Sequence, residues 1–147
     1  MAIAEDRRRL VERLGAPGPT RAQSVGTRDG KGILFVSHGQ GGGVRRQMLE
    51  MIGALRGKAN VMLLQPDPRG IGLSVPGIDG HPVLSLAAER IDDLALYLRS
   101  ADIRRVHIHH VMELAIDLPA LIARLGVPFD LTVHDYFGIC PQVNLLP

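Results

Sequence analysis

Short strand-like runs, separated by stretches of helical periodicity, constrain this chain more than any other feature of it. Residues 33–36 (ILFV) are apolar without a break, the pattern of a strand covered on both faces. Glycines between 39 and 43 interrupt it. Met48, Met51, Ile52 and Leu55 then recur at helical spacing and predict a helix over 44–55. Residues 61–64 (VMLL) form a second run, ended by a turn over 66–70 (PDPRG). Residues 71–74 and 82–86 read either as two short strands around 76–80 or as one irregular connection plus a strand. An amphipathic helix follows over 87–100 and a strand over 105–109. A further helix near 112–125 ends at Gly126, with Pro119 placed to split it in two. Residues 129–133 are the last strand. This alternation predicts an α/β fold, a parallel sheet with helices on both faces.

Composition agrees. Of 147 residues 46% are apolar and 22% charged, as in an ordinary soluble domain able to bury a core without staples. Aromatics are only 3%, with no Trp, so Leu, Ile, Val, Ala and Met must build that core. Residues 4–14 predict one short helix stopped by Gly15 and Pro17, and 15–31 read as a mobile linker. The organisation is therefore a helix and linker over 1–31 and one folded domain over 32–147.

Seventeen basic and fifteen acidic residues leave a net charge of +2, which argues against a nucleic-acid partner. Arg7, Arg8 and Arg9 stand beside Glu5, Asp6 and Glu12 and read as a solvated helix face, the one local feature suited to peripheral contact with an anionic membrane. Cys140 is the single cysteine, excludes an internal disulfide, and reads as a packed thiol in a reducing compartment. Residues at the start lack the apolar stretch of a signal peptide, and no run approaches the length needed to cross a bilayer. A cytoplasmic protein is expected.

In parallel α/β sheets ligands sit beyond the carboxyl ends of the strands. Three such ends are rich in polar residues. The first, residues 37–43 (SHGQGGG), leads into a helix opened by Arg45 and Arg46. Glycines let a backbone approach a ligand closely, and cations at a helix start oppose the dipole, so Gly41, Gly42, Gly43, Arg45 and Arg46 point to an anionic ligand. The turn is neither G-x-G-x-x-G nor a Walker loop. The second end is residues 106–110 (VHIHH). Strand alternation puts His107 and His109 on one face, with His107 deeper and structural, and His109 and His110 near a ligand. The third is residues 132–136 (TVHDY), where His134 and Asp135 are suited to sugar hydroxyls or phosphate.

Taken in order, these pieces resemble the N-terminal domain of bacterial family 4 glycosyltransferases, retaining enzymes of GT-B fold. The segments that carry the resemblance are 33–47 (ILFVSHGQGGGVRRQ), 106–110 and 125–146 (LGVPFDLTVHDYFGICPQVNLL). The resemblance implies a Rossmann-like, acceptor-side domain and transfer of a sugar from a nucleotide-sugar donor, used as co-substrate, to a glycan or lipid-linked acceptor. It implies no cofactor or metal. Gly41, Gly42 and Gly43, followed by Arg45 and Arg46, would meet the donor phosphates, and His134 would act catalytically beside the transferred sugar. His109, His110, Asp135 and Tyr136 would line the acceptor side. Gln142 departs from the basic residue expected after Cys140 and Pro141. The family's second, donor-binding domain is not found before Pro147, so it would have to be supplied in cis or in trans, and negligible transferase activity is expected of these 147 residues alone. Two rival readings are a metal-dependent hydrolase built on the histidine cluster and a non-catalytic Rossmann-fold module that binds a partner.

Overall fold

The computed structural model describes residues 31–76 and 82–134. The expected helix over 4–14 and its linker lie outside the described residues, as do Asp135, Tyr136 and Cys140.

In chain order the elements are β1 (Gly32–Val36), α1 (Gly43–Leu55), β2 (Asn60–Asp67), β3 (Gly70–Ser74), β4 (Leu84–Leu86), α2 (Ile91–Ser100), β5 (Ile103–Ile108), α3 (Leu118–Leu125) and β6 (Phe129–Leu131). The strands make one six-stranded sheet in the order β4-β3-β2-β1-β5-β6. Strands β2, β1, β5 and β6 run parallel, while β3 and β4 are antiparallel additions at one side.

The α/β fold and its mostly parallel sheet agree with the alternation of the sequence, and the hairpin corrects the expectation of an all-parallel sheet. Strand β2 does not stop at residue 64 but runs on through Pro66 and Asp67, and Asp67 pairs with Gly70 across a two-residue turn. Gly70 has φ +130, and a Cβ there would lie 2.8 Å from the Leu86 carbonyl oxygen, so only glycine fits.

Alternation along the central strands divides the core. Leu34 and Val36 of β1, with Met62 and Leu64 of β2, face Leu94, Leu98 and Leu121 of α2 and α3. Phe35 and Leu63 point the other way, onto Met48, Met51, Ile52 and Leu55 of α1. Helices therefore cover both faces. Each fully buried Leu contributes about 1.5–3 kcal/mol from its removed apolar surface, which makes the α2–α3 layer the main source of cohesion.

Two helix boundaries differ from the periodicity. The segment before α2 is a 3-10 turn over Ala88–Arg90. Helix α3 begins only at Leu118, because Pro119 sits in its first turn and Asp117 caps it, accepting from the Ala120 amide at 2.9 Å. A proline in the first turn sacrifices no helical hydrogen bond, so it starts the helix instead of splitting one.

Candidate functional site

Because β1, β5 and β6 are parallel neighbours, their carboxyl ends emerge side by side. Residues that follow them in sequence are thereby gathered on one edge: Ser37 and His38 after β1, His109 and His110 after β5, Thr132 and His134 after β6. Backbone bonds lock the junctions, with the His109 amide donating to the Val36 carbonyl at 2.8 Å and the Thr132 amide to the Ile108 carbonyl at 2.9 Å.

Two groups of rings result. On the α1 face, Phe35 lies 5.3 Å from His109 in a stacked arrangement, His107 meets His109 edge-on at 4.6 Å, and His134 stacks on His109 at 5.4 Å. His109 Nδ1 and His134 Nε2 stand 3.1 Å apart, a hydrogen bond in which one ring must donate and the other accept. His107 is tied to Asp130 through Nδ1 and to the Thr132 hydroxyl through Nε2 at 3.0 Å. Asp130 also accepts from Arg105. The second group pairs His38 and His110, whose rings meet edge-on at 4.8 Å. Each accepts a backbone amide on Nδ1, His38 from Gln40 at 3.0 Å and His110 from Met112 at 3.1 Å. That role leaves the proton of each neutral ring on Nε2.

Burial sets the electrostatics. His109 is 1% exposed, and this burial, reinforced by the neighbouring His107 and His134 and only partly opposed by Asp130, lowers its pKa from 6.5 to about 4. Burial pushes Asp130 up, but its hydrogen bonds from Arg105 and His107 outweigh that and hold it below its ordinary value. His109 is thus held uncharged at neutral pH within the hydrogen-bonded ring cluster, and the Asp130 carboxylate is set back behind His107.

The expected order of depth along β5 is reversed. His107 is only partly buried and His109 is the deeper residue, because Phe35 and His134 stack on the His109 ring while His107 turns to the partly exposed Asp130. His109 and His110, read from sequence as acceptor contacts, are both buried, the latter 6% exposed, so neither offers a surface of its own. His134 is half-buried.

Gly41, Gly42 and Gly43 form the exposed turn into α1, with Gly42 at φ +99. Arg45 and Arg46 are exposed, and Arg46 is paired with Glu50 one turn on at 3.1 Å, which accounts for it by helix-surface pairing alone. These two arginines border a shallow depression with Gly42 and Leu49, and no histidine lines it. The glycine turn with its two arginines and the histidine cluster are therefore neighbouring features, not one pocket. Gln40, next to the turn, joins them through its backbone amide, which donates to His38 Nδ1 at 3.0 Å, while its side chain donates to Glu113 at 3.0 Å.

Sequence reasoning left Ser37 and His38 outside the site, although both directly follow a central strand. Ser37 is 1% exposed, and its Oγ has no hydrogen-bond partner among the described residues. Thr132 and Asp130 were also missed as the groups that hold His107. The usable signal was positional, since each sits at or just past the end of a parallel strand.

Beside the histidines an apolar groove of about 990 Å³ runs between β6 and α3, lined among others by Val111, Leu114, Ile122, Phe129 and Leu131, with His109 and His134 at one end. Phe129 and Leu131 are each 58% exposed and Val133 78%. Among the described residues no three His, Cys, Asp or Glu side chains are placed to hold a metal ion, and no helix is long and apolar enough to cross a membrane. Compared with known proteins, the chain matches no family model, no curated protein and no solved structure.

Proposed function

We propose that this chain is the Rossmann-like, acceptor-side domain of a retaining GT-B glycosyltransferase that moves a sugar from a nucleotide-sugar donor to a glycan or lipid-linked acceptor. One observation carries the reading: the carboxyl ends of β1, β5 and β6 bring His38, His109, His110 and His134 to a single edge of the sheet, beside the glycine turn into α1. Sugar transfer needs hydrogen-bond donors directed at hydroxyls and at the phosphate oxygens that gain charge as the donor breaks. Preorganised imidazoles in a largely buried site supply them without a metal. His134, the least enclosed of the four, is the residue assigned to the reacting sugar or leaving phosphate. His109 and His110 serve the acceptor side from behind it. The nucleotide is left to a second domain in cis or in trans.

The test is nucleotide release from a panel of UDP- and GDP-sugars by the whole encoded protein carrying these residues, offered glycan and lipid-linked acceptors. His134→Ala is expected to lower kcat by about 10²–10³-fold, the usual effect of removing one transition-state donor. Turnover of none of the panel, or undiminished turnover by His134→Ala, would overturn the assignment.

A second reading is favoured by a different observation, the apolar strip of Phe129, Leu131 and Val133 beside the strand ends. A strip of this kind suits a non-catalytic module whose edge is covered by a partner protein. Stable complex formation through this strip, with no transfer detected, distinguishes that reading from the first.

A further inference from the structure

We infer that the carboxyl edge of the sheet holds an internal binding site for a single water molecule, seated between the Ser37 hydroxyl and Nε2 of His109.

Both residues are only 1% exposed, and neither of these two atoms has a hydrogen-bond partner among the described residues. The backbone sets them side by side. Val36 pairs with Ile108 in the parallel β1–β5 ladder, so the next position along each strand puts Ser37 opposite His109. The ladder holds at that level, since the His109 amide donates to the Val36 carbonyl at 2.8 Å and the Ser37 amide to the Leu64 carbonyl at 3.1 Å. One position further on, the rings of His38 and His110 still meet at 4.8 Å. Alternation puts Ser37 on the α1 face with Phe35, and the stacking of Phe35 on His109 fixes the imidazole to that same face. Neighbouring strands run about 4.8 Å apart, and a serine side chain is too short to close that gap to the imidazole nitrogen by itself.

The chemistry of the pair selects the occupant. Left unmet, each atom carries its full desolvation penalty, which one bridging oxygen removes from both. The hydroxyl donates or accepts, and Nε2 does one or the other according to its tautomer. Water complements either case, so the site stands whichever nitrogen holds the proton. A charged occupant is opposed by the same burial that lowers the His109 pKa. A metal ion lacks ligands, because among the described residues no three His, Cys, Asp or Glu side chains are placed to hold one. A larger ligand would have to part a closed strand junction, whereas a buried polar gap with two or more partners is the ordinary setting of an internal water. The remaining unmet side chain, Ser85, lies on the edge strand β4, is partly exposed, and has no second unmet atom on β3 or β4. The water ties the end of β1, which leads into the glycine turn, to the ring at the centre of the histidine cluster. Ser37 is thereby a positioning residue for His109, independently of the glycosyl-transfer reading.

A high-resolution crystal structure of the full chain tests the site. One peak of density is expected within about 2.7–3.2 Å of both Ser37 Oγ and His109 Nε2. In Ser37→Ala that peak is expected to be lost. In ¹⁵N-histidine-labelled protein the same substitution should shift the Nε2 resonance of His109, which loses its hydrogen-bond partner. Absence of the peak from wild type would overturn the inference, as would a direct Ser37–His109 hydrogen bond or a peak that scatters as an ion heavier than water. A peak and a resonance both unchanged in Ser37→Ala would overturn it equally. If Ser37→Ala does not fold, the wild-type density still decides. None of these outcomes depends on transferase activity, so a failure here and a failure of the proposed function are separable.

Discussion

Acidification should weaken this fold through His109 before any carboxylate is involved. The native pKa of about 4 lies below the ordinary 6.5, so the unfolded chain binds the extra proton first as pH falls. The direction is that of a depressed histidine. Stability is fully present above pH 6.5 and drains away as the pH drops toward 4. From the two titration curves, the unfolded chain holds nearly one more proton than the native one at pH 5. That difference removes about 2 kcal/mol relative to pH 7.5, on the way to about 3 kcal/mol below pH 4. Asp130 does not contribute in this window, because its stabilisation is lost only below the ordinary carboxylate range. Urea unfolding of wild type and His109→Phe at pH 7.5 and pH 5 isolates the effect. The variant lacks the titrating ring, so its loss between the two pH values should be smaller than the wild type's by about 2 kcal/mol. Equal losses in the two proteins would refute the argument, and with it the claim that His109 is buried uncharged.

Two further outcomes follow from the fold. Gly70→Ala should lower stability by about 2–4 kcal/mol in the same urea assay, because its φ of +130 and the Leu86 carbonyl at 2.8 Å both reject a Cβ. Leu131→Lys should change stability by less than about 0.5 kcal/mol, since the residue is 58% exposed, and should lower the concentration-dependent light scattering of the chain.

How far the sequence could be read depended on what each residue type reports. The run 33–36 announced a central strand because burial on both faces demands an unbroken apolar string, and β1 is buried along nearly all its length. The same string does not report strand direction. The β2–β3 hairpin was therefore hidden, and Pro66 and Asp67 looked like a turn when they are the paired end of a strand. Helix α3 began later than its apolar spacing suggested, although Asp117 followed by Pro119 already carried the cap and first-turn signature. At the site, alternation placed His107 and His109 on one face but gave no information about what roofs that face. Depth along β5 depended on Phe35, some seventy residues earlier in the chain, and on an aspartate in a strand not yet formed. Arg46 misled for the opposite reason. Its partner Glu50 is local, and the i,i+4 pairing was available from the spacing alone.

The central position of β1 has a kinetic consequence. It is the first strand among the described residues, yet its second edge is completed only when residues 103–108 arrive to pair with residues 32–36. Pairing across so long a stretch of chain is entropically expensive and slow, whereas the β2–β3 turn closes across two residues. During synthesis or refolding the hairpin region should therefore organise first, leaving β1 with an unpaired apolar edge until β5 docks. Pulse-labelled amide exchange should find β2 and β3 protected before β5; simultaneous protection would mean that the sheet condenses in one step.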